Sequence, residues 1–348
     1  MDDRCGLFTS RTSFASYVEL MQNSTSNNLT ALTPCRKEIC STLWGSGNPD
    51  ISGVGVIIAY AMELSLGILL SIGVLFIQPS SAKGFNRSIH QAFHTYADAA
   101  VMFTFSIQLA SVIILARKDF GVSAEGVGGY TVEITWCAAL LTMLPVTLLS
   151  FVHTGLRRQT LRLGTTCVSW ILFMYTFLAR MVAAFGPGQI STSEDAVIAP
   201  SQWEIIVQMC FRGAEELSVS QRRVMDVFFI GGSLFISLMI LGLLVWSFFE
   251  GRKETLYIRK WSNMISRRLP RNTFKIALVL NLALWGPPQI WAISCFRTVQ
   301  ARLARSVNDV NLDNNWSFGQ IISVVVFLPV FIDFAYSFLV KEADVHSG

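Results

Sequence analysis

Seven stretches of the chain are apolar almost without interruption. They cover Gly53 to Ile77, Tyr96 to Ala116, Tyr130 to Val152, Gly164 to Phe185, Val224 to Phe249, Thr273 to Phe296 and Phe318 to Val340. At a rise of about 1.5 Å per residue, each is long enough to cross a hydrocarbon layer of about 30 Å as a helix. Polar and turn-forming residues separate them: Gln78-Pro79-Ser80-Ser81, Gly126-Val127-Gly128-Gly129, Gly186-Pro187-Gly188 and Pro270. The pattern predicts an all-α fold, a polytopic membrane bundle of about seven transmembrane helices. Its organisation reads as a tail over 1–52, a membrane domain over 53–340 and a short tail over 341–348.

Composition agrees. Apolar residues make up 52% of the 348 and charged residues 14%, against about a quarter charged in a water-soluble domain. The formal charge of +4 is modest, and the basic residues sit in short connections rather than on a stripe suited to nucleic acid. The partner this composition implies is the lipid bilayer.

Charge and cysteine placement predict an orientation. Cys5, Cys35 and Cys40 lie near the glycosylation sequons at Asn23 and Asn28, as expected of a segment in an oxidising lumen. A Cys35–Cys40 bridge, or one from Cys5 to either, is possible, and the cysteine left over can reach Cys210 in a later connection. With this tail lumenal, the connections holding Lys83 and Arg87, then Arg157, Arg158 and Arg162, then Arg252, Lys253, Arg259, Lys260, Arg267, Arg268 and Arg271 all fall in the cytosol. Arg297, Arg302 and Arg305 run against the rule, and the sequon at Asn86 would be cytosolic. The tail lacks the basic and apolar segments of a cleavable signal peptide, so the first helix is expected to direct insertion, most simply into the endoplasmic reticulum membrane. The connection Gly186 to Arg223, with Trp203, Glu204, Cys210, Glu215 and Glu216, is either a lid or a plain link. The chain shows no inverted internal repeat of the transporter kind.

Polar residues within the apolar runs carry the candidate chemistry. Glu63 lies ten residues past Gly53 and therefore about 15 Å into the bilayer, where a carboxyl is costly and should face the bundle. Tyr60, Glu63, Gly67 and Ser71 follow the spacing of one helix face. In the second run, Asp98 reads as a carboxylate at the start of a helix, and Thr104, Gln108 and Ser111 form another polar stripe. Asn281, Trp285, Pro288 and Gln289 share a side of the sixth run, whose Gly286-Pro287-Pro288 predicts a break beside a pocket. Asp333 falls about 22 Å along the last run, one turn from Tyr336. Arg180 and Asp226 sit at the lumenal ends of their helices, where they can pair with each other or with the connection. His94 and His153 lack metal-ligand spacing, and no HExxH, paired CxxC, Walker loop or GxSxG elbow occurs.

Two motifs flank the bundle. Cys40-Ser41-Thr42-Leu43-Trp44-Gly45-Ser46-Gly47-Asn48-Pro49-Asp50-Ile51-Ser52-Gly53-Val54-Gly55 leads into the first helix, and Asn314-Asn315-Trp316-Ser317-Phe318-Gly319-Gln320 into the last. The first reads as a tight turn with Asp50 or Ser52 capping the helix, the second as an interfacial tryptophan anchor. On one side of the membrane, the two can meet and close that end of the bundle.

These segments resemble those of fungal seven-helix integral membrane proteins of secondary-metabolite clusters. That group is similar in turn to the membrane-bound terpene cyclases of the ascofuranone and ascochlorin type, with related proteins in indole-diterpene clusters. The resemblance implies acid-initiated cyclisation of a prenyl or epoxyprenyl chain, an isomerase or lyase activity on a hydrophobic prenylated molecule that needs no cofactor. It assigns no acid. The residues themselves nominate Glu63, with Asp333 or Asp50 second, and Tyr60, Gln108, Asn281, Trp285 and Gln289 as substrate contacts, Trp291 joining Tyr60 and Trp285 along a carbocation's path. A carrier or scaffold for other pathway enzymes is the alternative. A seven-helix receptor is a further one, but the third helix ends Phe151-Val152-His153-Thr154-Gly155-Leu156-Arg157-Arg158 instead of an Asp-Arg-Tyr type triplet, and the last lacks Asn-Pro-x-x-Tyr.

Overall fold

A computed structural model describes residues 33–44, 47–76, 83–116, 129–152, 159–182, 209–210, 217–250 and 271–336. These are almost entirely helical, with no strand among the described residues. A 3-10 turn at Thr33–Cys35 leads into α1 (Arg36–Trp44) and the one-turn α2 (Pro49–Ser52). The long helices are α3 (Val54–Phe76), α4 (Lys83–Ala116), α5 (Gly129–Val152), α6 (Gln159–Val182), α7 (Val219–Glu250) and α8 (Arg271–Ser306). After a second 3-10 turn at Leu312–Asn314, α9 begins at Phe318–Val325, and its span runs on to Tyr336.

Six of these helices are long and apolar enough to cross a membrane: those of Pro49–Val74, Ser88–Ala116, Gly129–Ser150, Leu161–Met181, Val219–Gly242 and Phe318–Tyr336. The chain is an integral membrane protein built as a polytopic helical bundle. The exposed apolar side chains of α4, α6 and α7, such as Met102, Ile171 and Leu238, form the surface that lipid covers.

α5 is the axis. Its membrane-crossing stretch is 100% buried, against 50% or less for each of the other five. Its Thr131, Thr135, Ala138, Ala139 and Thr142 are small enough for neighbouring backbones to come close, which suits this helix to the centre of the bundle. Several of its hydroxyls are satisfied within the helix, Thr135 donating to the Thr131 carbonyl and Thr147 to that of Met143, each at 2.7 Å. α3, α4, α6, α7 and α8 pack around it. Gly67 of α3 lets its neighbours come close: a Cβ there would lie 2.7 Å from the Tyr96 hydroxyl and 3.5 Å from both Leu282 and Pro145.

Two expectations change. α4 starts at Lys83, so Asp98 lies well inside a helix rather than at its N-terminus. It accepts a 2.6 Å hydrogen bond from Arg162 Nε of α6, whose Nη2 donates to the His94 carbonyl. α8 carries Pro287 and Pro288 without interruption, and Gly286 there packs against Leu64 of α3.

Candidate functional site

Tyr60, Glu63, Gly67 and Ser71 are all buried, so the face expected of α3 does turn inward. Glu63 Oε1 lies 3.2 Å from Thr104 Oγ1 of α4, and its peptide oxygen accepts from the Tyr96 hydroxyl at 2.6 Å. Its other carboxyl oxygen, Oε2, is buried with no hydrogen-bond partner. Thr104 Oγ1 is also 3.0 Å from the Thr142 carbonyl of α5. One turn along α4, Gln108 donates from Nε2 to the Ala139 carbonyl at 2.7 Å and to Thr142 Oγ1 at 3.3 Å. Both of its amide hydrogens are thereby used, and its Oε1 remains buried without a donor.

Aromatic rings pack in the same layer. Tyr60, one turn before Glu63, sits 5.8 Å centroid to centroid from Phe103, which adjoins Thr104. Phe327 of the last helix meets Phe103 edge-on at 5.4 Å and Tyr96 at 6.3 Å. The Tyr60 hydroxyl donates to the Ile51 carbonyl at 3.2 Å, which fixes the ring. The arrangement is an enclosed carboxyl and carboxamide, each with one oxygen uncommitted, beside electron-rich ring faces.

The other predicted residues lie elsewhere. Asp333 accepts a short hydrogen bond from Thr95. Thr95 precedes Thr104 by nine residues, about 14 Å along α4, so this pair occupies another level of the bundle. Asp50 is about 20 Å from Glu63 by helical rise and is exposed. Asn281, Trp285 and Gln289 share one face of α8, and Trp285 points to α7: its ring fills the space beside Gly231 and meets Phe228 edge-on at 5.8 Å. The face of α8 toward α3 is instead that of Leu282 and Gly286, which meet Gly67 and Leu64. Trp291 is 40% exposed. Of the predicted set, the structure brings Tyr60, Glu63 and Gln108 together. Asn23 and Asn28 lie outside the described residues.

The two flanking motifs do meet. Asn48 caps the one-turn α2, so Asp50 and Ser52 lie inside that turn instead of capping the helix that follows. Ser52 Oγ donates to Asp313 Oδ1 at 2.6 Å, and Ser317 Oγ, the cap of α9, donates to Asp50 Oδ1 at 2.6 Å. Gly55 N–H at the start of α3 donates to Gln320 Oε1 at 2.8 Å, while Gln320 Nε2 donates to the Asn315 carbonyl at 2.6 Å. Arg297, one of the cations that ran against the charge rule, sits 3.4 Å from the buried carboxylate of Asp313. Beside this closure Cys40 is bonded to Cys210, the last of the pairings the spacing left open, and Arg36 Nε donates to the neighbouring Met209 carbonyl at 2.9 Å. Cys35 is disulfide-bonded as well.

Sequence reasoning missed Glu133. It pairs with Arg180 Nη1, while Asp226 takes Nη2 at 2.6 Å and the guanidinium lies 4.4 Å from the Trp136 ring centroid. Arg180 and Asp226 do pair, but a third helix joins them. The signal available was one carboxylate near the start of an otherwise uncharged run.

These contacts define a class, an integral membrane protein with a polar core inside a helical bundle and a hydrogen-bonded closure at one end. No family model, curated protein or solved structure matches the chain.

Proposed function

We propose that the protein is a membrane-bound terpene cyclase of the fungal secondary-metabolite type that its flanking motifs resemble, with Glu63 as the acid. The observation that carries the reading is a carboxyl enclosed by three helices, one oxygen unpartnered, one turn along α3 from Tyr60, whose ring packs on Phe103. A prenyl chain reaches such a site from lipid. Protonation of an epoxide by Glu63 opens a carbon–oxygen bond, and the adjacent alkene's electron pair closes a carbon–carbon bond. Loss of a proton from the final cation restores the acid, so the product is an isomer of the substrate. The ring faces and the uncommitted Gln108 oxygen stabilise positive charge as it moves along the chain.

The same reading sets the protein in the endoplasmic reticulum membrane, crossing it seven times with α8 among the spans. The tail is lumenal and the C-terminus cytosolic. A disulfide at the α1 end and basic connections at the opposite end support that orientation. Endoglycosidase treatment of microsomes should increase the mobility of the wild type and leave Asn23→Gln/Asn28→Gln unchanged.

Microsomes containing this protein alone, supplied with prenylated and epoxyprenylated aromatics, should yield a product of unchanged mass and new retention time. Glu63→Gln should abolish it, by a factor of about a hundred or more, while Cys40–Cys210 still forms. Full turnover by Glu63→Gln removes Glu63 from the mechanism. Absence of any isomer from correctly inserted wild type leaves a carrier or scaffold.

A further inference from the structure

Hydrogen counting around Glu63 assigns a role to a residue on the neighbouring helix. The Thr104 hydroxyl has one hydrogen and two acceptors in range, the Thr142 carbonyl at 3.0 Å and Glu63 Oε1 at 3.2 Å. A peptide carbonyl has no hydrogen to give. With the Thr104 hydrogen on the shorter contact, the one to Glu63 needs a hydrogen from Glu63 itself. The other donors of the cluster are committed: both Gln108 amide hydrogens to Ala139 and Thr142, the Thr142 hydroxyl to the Ala138 or Ala139 carbonyl, Tyr96 to the Glu63 peptide oxygen and Tyr60 to Ile51. No Lys or Arg among the described residues forms an ion pair with Glu63.

We propose that Thr104 is the positioning residue of the acid: it accepts the Glu63 Oε1–H and passes its own hydrogen to the Thr142 carbonyl. The chain Glu63 to Thr104 to Thr142 joins α3, α4 and α5 and points the bare Oε2 away from α4. Taken with the functional reading above, on which its catalytic meaning rests, it stores the proton against the protein wall until a half-turn of the carboxyl presents the O–H to a substrate oxygen. The hydrogen-bond assignment itself does not need the reaction.

Infrared difference spectroscopy of the purified protein tests it. The wild type should show a carboxylic-acid carbonyl band that is lost in Glu63→Gln and shifts in deuterium oxide. In Thr104→Val, which keeps the shape but removes the acceptor, the band should move up to the position of a carboxyl without a hydrogen bond. Thr104→Ser should restore it. A wild type without a band assignable to Glu63, or a band unmoved in Thr104→Val, overturns the proposal. Should Thr104→Val fail to fold, Thr104→Ala removes the same acceptor, and an unmoved band there overturns the proposal equally. A band that behaves as expected in a protein that forms no isomer refutes the cyclase and leaves Thr104 in this role.

Discussion

Replacing Gln320 by leucine tests the closure where it is most unusual. The N-terminal turn of α3 has N–H groups without helical partners, and Gly53, which precedes it, has no side chain to supply one. Gln320 of the last helix does so instead, its Oε1 2.8 Å from Gly55 N. Gly53 must be glycine for this to happen, since a Cβ there would lie 2.3 Å from the Gln320 amide nitrogen and 2.2 Å from the Pro49 carbonyl. Gln320→Leu removes a cap worth about 1 kcal/mol and strands a buried N–H, which costs about 1–3 kcal/mol. It also loses the 2.6 Å bond to Asn315. The expected destabilisation is about 2–4 kcal/mol, read as the midpoint shift of unfolding in mixed dodecyl sulfate micelles followed by tryptophan fluorescence. Gln320→Glu keeps the acceptor and favours the helix N-terminus electrostatically, so it should lose roughly half as much. Gly53→Ser, which restores a local cap in sequence, should not rescue Gln320→Leu, because its Cβ collides with the Pro49 carbonyl whatever occupies position 320. A Gln320→Leu protein within about 0.5 kcal/mol of the wild type, the range of an ordinary surface change, would show that the trans-cap carries no energy.

Arg180→Gln should cost about 3–5 kcal/mol, because it leaves Glu133 uncompensated with a side chain only 9% exposed. Asp226→Asn, at a carboxylate 48% exposed, should cost under about 1 kcal/mol in the same titration, and Arg180→Gln with Glu133→Gln should recover part of the loss. Cys40→Ser and Cys210→Ser should each destabilise by about 2–4 kcal/mol, and the double variant no more than either. Equal protection of Cys210 from maleimide in the wild type and in Cys40→Ser would refute the pairing.

The course of the helices was readable because lipid imposes a simple rule on each stretch: apolar for long enough, with its backbone bonds satisfied internally. The beginning of α4 was not, because Lys83 to Thr95, with Arg87, His90 and His94 among its residues, lies outside the unbroken apolar run that starts at Tyr96, yet continues the same hydrogen-bonded ladder. The rank of the helices was equally hidden. α5 and its neighbours are all apolar, and what makes α5 the axis is the size of its side chains, Ala138, Ala139 and its threonines, rather than their polarity. In water, burial and polarity go together. In lipid they separate, and apolar periodicity no longer reports which face is inside.

The same separation explains which part of the candidate site could be found. Depth alone nominates Glu63, and the stripe through Tyr60 and Gly67 orients it, because a polar group in hydrocarbon has to turn inward. Partners require the relative rotation of helices, which depends on close contacts such as Gly67 against Tyr96 and Gly286 against Leu64. Trp285 illustrates the consequence. On sequence it lies at a suitable depth to serve Glu63, but Gly286, one residue on, is the position that α3 approaches, and a helix turns about 100° per residue. Trp285 therefore falls to α7, where Gly231 leaves space for its ring. Thr104 moved the other way, from one member of a polar stripe to the residue within reach of both Glu63 and α5. In a membrane bundle the small residues decide which polar residues meet, so a search for an intramembrane site should begin with the glycines.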